Sequence, residues 1–348
     1  MKALKSIIVG MSALCALNAE AQDNEYAKIL EYAVRAPSGH NTQPWKFRLL
    51  DSAIEIYPNM EVSLPVVDPD NRELYISLGA AAENLCIASG KFGYKPVANI
   101  LKYGEGKYKI HIDLKKESVN IDPLLSQIEK RQTNRSVYEG KEISDDTSKI
   151  ISKITPEKNT KFYLFKKNEA GFDSLKLSAF KGNEAQMNDD DFKKELKNWI
   201  RFNGSQSEES GDGLSSKVMG SPSVPKWLGK FIIGFFLNPS SQNKSDMEKI
   251  NSSSHLVLFT TENNTPDEWI SLGRTLERFL LKTTELGIAN AYINMPCEVP
   301  ELAGKIRKNV QVNNEYPAIL LRIGYAHSAP YSLRRSLEKV IMKSGETE

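Results

Sequence analysis

The stretch from Ala36 to Trp45, Ala-Pro-Ser-Gly-His-Asn-Thr-Gln-Pro-Trp, restricts the fold more than any other part of the chain. Pro37 and Pro44 fix φ and remove two backbone donors, Gly39 permits positive φ, and Ser38, His40, Asn41, Thr42 and Gln43 crowd polar groups between them. Such a segment fits the interior of neither a helix nor a sheet. Before it, Tyr26, Ile29, Leu30, Ala33 and Val34 recur at helical spacing; after it, Lys46 to Leu50 and Ala53 to Tyr57 alternate about Asp51-Ser52 as a hairpin. A polar loop held between two rigid elements is a common place for ligand contacts, although a capped helix end followed by an ordinary turn uses the same residues.

The chain of 348 residues is long enough for two packed units, and 40% hydrophobic with 26% charged residues describes a globular protein. A net charge of +2 gives no strong field to draw nucleic acid or an anionic membrane. Lys2 and Lys5 precede an apolar run from Ile7 to Leu17, and Ala19-Glu20-Ala21 offers a cleavage site, so residues 1–21 are expected to be a Sec-type signal that exports the chain to the periplasm or beyond. The run is too short for stable membrane insertion. Cys86 and Cys297, the cysteines beyond that signal, are expected as buried free thiols, and the widely separated histidines suggest no metal site.

Further on, Asp68-Pro69-Asp70-Asn71 caps a helix reaching about Phe92, with Gly79-Ala80-Ala81-Ala82 at its middle, where small residues allow a second helix or a flat ligand to come close. Strands at Val97 to Lys102 and Tyr108 to Leu114 lead to a helix over about Asp122 to Arg131. This helix delivers Arg131-Gln132-Thr133-Asn134-Arg135, in which two guanidinium groups and a hydroxyl can surround an anion, or can simply be a surface arginine pair. The spacing predicts further helices at Ser144 to Ile154, Glu169 to Phe180 and from Asp189, then an irregular connection over Gly204 to Ser223. An apolar helix, Val224 to Leu237, follows; it reads as a lid, a core helix or an oligomer interface. His255 to Thr261 and Ala318 to Gly324 are continuous apolar strands, and the longest helix runs from Pro266 to Gly287.

The polar loop, the Gly79 to Leu85 segment, Arg131 to Arg135, Gly273 to Gly287, Pro317 to Tyr325 and the Arg334-Arg335 tail together resemble, in that order, the nitroreductase family, and in particular its Acg-like branch of fused pseudo-dimers. The resemblance implies an α+β, nitroreductase-like fold, internally duplicated, with helices around central, mostly antiparallel sheets. Its halves would be 22–120 and 121–348, with a possible lid at 204–240. It implies FMN as cofactor, with Arg131, Thr133, Arg135, Arg334 and Arg335 on the phosphate, Ser38, Asn41 and Gln43 on ribityl or ring atoms, and Asn294 near the reactive edge. No catalytic side chain is implied, since the flavin carries the chemistry. NAD(P)H would be the transient reductant and a nitroaromatic or quinone the small-molecule acceptor. The alternative is an FMN-sequestering protein with little turnover. The chain is expected as a monomer, through its pseudo-dimer, or as a weak homo-oligomer.

Overall fold

The computed structural model describes residues 22, 24–312 and 314–343, and the expected signal at 1–21 lies outside them. The elements run α1 (24–33), β1 (Trp45–Leu50), β2 (Ala53–Pro58), α2 (Arg72–Ser89), β3 (Tyr94–Gly104), β4 (Lys107–Lys116), α3 (Asp145–Ser152), β5 (Thr160–Lys166), α4 (Ala170–Asn188), α5 (Asp190–Trp199), β6 (Ile200–Arg201) and α6 (Gly204–Ser210). They continue as β7 (Leu214–Ser215), α7 (Lys226–Phe236), α8 (Pro239–Asn251), β8 (His255–Thr261), α9 (Pro266–Glu285), β9 (Ala289–Tyr292), α10 (Met295–Glu298), α11 (Pro300–Asn309), β10 (Tyr316–Gly324) and α12 (Leu337–Val340).

Two four-stranded sheets form, in the orders β1-β2-β4-β3 and β5-β8-β10-β9, and every strand pair in them is antiparallel. The second sheet repeats the order of the first, and in each a long helix, α2 or α9, follows the second strand in sequence. The fold is therefore α+β. Packed between the sheets is the pair α2 and α9, whose apolar side chains join those of Ile54, Ile56, Ile110 and Ile112 on one side and Val257, Phe259, Leu321 and Ile323 on the other in one core. The far face of the second sheet is covered as well, with Leu256, Leu258 and Leu320 against Phe172 and Leu175 of α4, Ile250 of α8 and Ile306 of α11. Covering on both faces explains why β8 carries no polar alternation in its middle.

The expected helix over Asp122 to Arg131 shrinks to a single turn, Pro123–Gln127, capped by Asp122. Beyond it the chain is drawn out by pairing with β9: Thr133 bridges Asn290, and Asn134 N donates to Asn290 O at 2.8 Å. The helix expected to end at Phe180 continues to Asn188, and the supposedly irregular 204–223 connection contains α6 and β7. At its end the chain returns to the first sheet, where Ile341 bridges Phe47 of β1 and Met342 N donates to Phe47 O. Cys86 and Cys297 are free thiols, Cys297 buried as expected and Cys86 only half-buried.

The small residues of α2 serve helix packing. A Cβ on Gly79 would lie 2.0 Å from the Ile270 carbonyl oxygen, and one on Gly273 would lie 2.0 Å from that of Ile76. The crossing is reciprocal: each glycine faces the carbonyl one turn before the other. Neither helix can yield without parting from its own sheet. Gly79→Ala is therefore expected to destabilise the fold by about 1–3 kcal/mol or more through overpacking, measured by denaturant unfolding; an unchanged midpoint would mean that the backbones do not meet here.

Candidate functional site

The polar loop is built by its own side chains and by the tail. Ser38 Oγ accepts from Gln43 N at 3.0 Å, Asn41 N donates to Ser38 O, and Thr42 N donates to Gly39 O. The left-handed backbone expected at Gly39 falls instead on His40, Asn41 and Gln43, at φ of 48°, 58° and 53°. Asn and His adopt that conformation more readily than Gln, and backbone strain of this kind persists where surrounding bonds fix it. Those bonds come from far along the chain. Asn41 Nδ2 donates to Gly213 O and Leu333 O, Gln43 Nε2 to Gly211 O at 2.8 Å, and Arg335 N to Gln43 Oε1 at 2.9 Å.

Arg334, at the end of this network, is a buried guanidinium that gathers the last carbonyls after α1, donating to Val34 O at 2.7 Å, Arg35 O at 2.9 Å and Ala36 O at 3.3 Å. Arg131 Nη2 donates to the same Arg35 carbonyl at 2.7 Å, and its Nε lies 3.3 Å from the buried carboxylate of Glu277. Burial, and then the neighbouring Arg131 charge, push Arg334 down to about 9. Carbonyl dipoles hold both cations in place. The 131–136 segment is fixed in turn by Arg322 of β10, almost fully buried, which donates to Asn134 O and Ser136 O and lies 3.9 Å over the Tyr138 ring.

These elements enclose two adjoining cavities that share Pro37, Ser38, Arg135, Leu214 and Tyr292. The smaller, about 90 Å³, is lined by Ser38, Asn41, Arg131, Thr133, Arg135 and Arg334 among others, and is rich in cations. The larger, about 220 Å³, has Ile76, Ala80, Leu276 and Ile319 on its apolar side and Gln186, Phe192 and Leu214 from the excursion between β5 and β8. Arg135 stands where the two meet. Among the described residues it makes no hydrogen bond or salt bridge, and burial lowers its pKa. An uncompensated guanidinium at the junction of two cavities is a place for an anion.

Of the residues singled out from sequence, Ser38, Asn41, Arg131, Thr133, Arg135 and Arg334 meet at the smaller cavity, and Asn294 lines the larger one. Gln43 and Arg335 line neither cavity. The Gln43 amide is spent on Gly211 and Arg335, and the Arg335 guanidinium is paired with Asp212, which also binds Arg201. The expected lid divides likewise: Leu214 reaches the larger cavity, whereas α7 lines neither and leaves Trp227 74% exposed.

Sequence reasoning passed over the acids of the larger cavity. Glu73 and Glu298 hydrogen-bond one another there, with Asn294 Nδ2 donating to Glu73 and Gln186 Nε2 to Glu298. Burial raises the pKa of both. The sequence around Glu73 gives no sign of this partner. Arg322, the other omission, did leave a signal: an arginine inside an apolar strand requires buried acceptors.

His40 lines the larger cavity, and its Nε2 is buried without a hydrogen-bond partner. Burial first, and then the Arg135 charge, push it down from 6.5 to about 4. A folded pKa below the unfolded value means that the neutral ring's stability contribution is complete above the unfolded value and is lost as pH falls through the folded one. In the ligand-free protein, His40→Asn should therefore flatten the decline of the thermal midpoint between about pH 6.5 and 4, with Asn chosen because it accepts the left-handed backbone. An unaltered slope would show the ring to be solvated.

No family model matches the chain. Among curated proteins it is 24% identical over 341 residues, 94% of each chain, to two Mycobacterium tuberculosis proteins, "Putative NAD(P)H nitroreductase MT3217" and "Putative NAD(P)H nitroreductase Rv3131". Similar solved structures include the FMN-dependent nitroreductase NfnB from Mycobacterium smegmatis in complex with NADPH, at 14% identity and a TM-score of 0.41 over 61% of this chain and 94% of that one. A nitroreductase with bound FMN from Bacteroides fragilis matches at 16% identity and a TM-score of 0.36 over 65% of this chain and 98% of that one. The similarity to these two curated proteins extends along nearly the whole length of the chain.

Proposed function

We propose that the protein is an FMN-dependent oxidoreductase that takes electrons from NAD(P)H and passes them to a small acceptor such as a nitroaromatic or a quinone. The observation that carries this is Arg135, unpartnered between a cationic cavity and an apolar one. FMN has the matching parts, a phosphate dianion at one end and a flat, largely apolar ring at the other. The names of the relatives point the same way. When bound, the flavin would supply both the hydride acceptance and the onward electron transfer.

The chain's own groups would hold and shield it. Arg135 and Thr133 have donors to give to a phosphate, while Arg131 and Arg334, tied to the carbonyls after α1, add positive charge behind it. Ser38 stands where the two cavities meet, and Asn41 on the wall of the smaller one. Ile76, Ala80 and Leu276 would bear one side of the ring, and Phe192 and Leu214 would exclude water.

A fused duplicate with one surviving site is supported by the repeated sheet order and by the reciprocal helix crossing. One residue after Gly79 stands Ala80, on the larger cavity; one residue after Gly273 stands Arg274, which pairs with Glu83 and Glu157. Arg274 and Arg278 line a separate pocket of about 280 Å³ there, but their charges are taken up by Glu83, Glu157 and Asp122, so neither is left uncompensated for an anion.

Arg135→Met should weaken FMN binding about 10- to 100-fold, the worth of one charge-assisted interaction of about 1.5–3 kcal/mol, read by flavin fluorescence titration. Unchanged affinity would put the phosphate elsewhere. The overhang of Gln186, Phe192 and Leu214 favours a second reading, an FMN-holding protein with little turnover. Anaerobic NADH or NADPH separates the two: bleaching that a nitroaromatic or quinone reverses supports the reductase, and a flavin that stays oxidised supports holding.

A further inference from the structure

The helix α7 is amphipathic in the wrong sense for a soluble surface. Its inward face consists of Gly229, against which the Phe202 ring packs, and Ile233, which joins the cluster of Leu64, Val67, Phe192 and Leu237. Outward it presents Trp227 at 74% exposure, Phe231 at 66% and Ile232, and exposed Met219 precedes them in the approach to the helix. Large apolar side chains concentrated on one outward face mark an interaction surface.

The charge beside it is mainly positive, with Asp190 the acid among the residues that line the adjoining cleft. Lys226 and Lys230 are exposed on α7 itself, and a surface cleft lined by Lys193, Lys194, Lys197 and Lys230 separates α7 from α5. Of these, Lys193 is paired with Asp190; Lys194, Lys197, Lys226 and Lys230 make no hydrogen bond or salt bridge among the described residues. A second copy of this chain docking here through a two-fold axis would set these lysines against their own images, which like-charge repulsion opposes. An anionic lipid surface meets both needs: acyl chains take Trp227, Phe231 and Ile232, and headgroup phosphates take the lysines, whose long stems reach back to that level. Among the described residues no helix is long and apolar enough to cross a membrane, so contact of this kind is peripheral.

We infer that α7 and the lysines of α5 form a membrane-surface docking site selective for anionic phospholipid. The flavin reading is not required, since α7 lines neither cavity.

The test is co-sedimentation of the chain with vesicles of phosphatidylcholine alone or with 30% phosphatidylglycerol by design, together with tryptophan emission. Trp45 and Trp269 are buried and Trp199 is half-buried at the end of α5, so a shift that is lost in Trp227→Ser is assigned to Trp227. The expected result is binding to the mixed vesicles at least about tenfold tighter than to neutral ones, weakened by salt, with a blue shift in emission. Trp227→Ser with Phe231→Ser should abolish it, and Lys194→Glu with Lys197→Glu and Lys230→Glu should remove the anionic preference, each variant keeping the parent's circular dichroism and thermal midpoint. No binding at low salt, equal binding of both vesicle types, or undiminished binding by the Trp227 and Phe231 variant would overturn the inference. So would a concentration-dependent dimer that this variant abolishes.

Discussion

The structure depends on the closeness of two backbones where α2 crosses α9. Gly79 and Gly273 leave no gap for a methyl group, and from that contact each helix carries a sheet outward on its far side. The spacing of the two sheets is thereby set by backbone. A close-packed interior transmits strain, and this crossing is the part of the core where two backbones meet with no side chain between them to adjust.

One turn beyond each glycine stands a buried glutamate, and their different partners separate the two ends of the crossing. Glu277 faces Arg131, which is also bonded to the carbonyl of Arg35. Glu83 faces Arg274 and Arg278, the latter also paired with Asp122. At the first end the guanidinium comes from outside the helix pair, and the small Ala80 leaves space. At the second, α9 supplies both arginines, and they line a pocket together with Glu83. A buried ion pair is weak evidence for stability, and here the same acid at matching positions anchors an arginine of the cationic cavity in one place and neutralises the arginines of a separate pocket in the other.

Much of this was legible in the sequence. Helical spacing before Ala36, alternation after Trp45 and the unbroken apolar run of β8 each report a local pattern that tertiary structure preserves. The cationic cavity was legible because its arginines lie in short segments. What escaped depends on contacts between distant segments. The Asp122 to Arg131 helix yielded to an edge pairing with Asn290, and nothing near Arg131 announces that competition. Gln43 looked like a ligand contact because its polarity is visible and its partner, Gly211, is not. Glu73 and Glu298 are far apart in the chain, so their hydrogen bond exists only once α2 and α10 are brought together.

The bonds from Asn41 and Gln43 to the 211–213 segment carry a mechanical consequence. The same short segment continues into Leu214 on the cavity wall, and its Asp212 is pinned by Arg335 and Arg201. Cavity wall and polar loop are thus one piece of architecture: displacing Leu214 would strain bonds that hold the left-handed residues of the loop, beside those from Ser38, Leu333 and Arg335. Whatever steadied Ser38 and Asn41 from inside would, through the same bonds, steady the wall at Leu214.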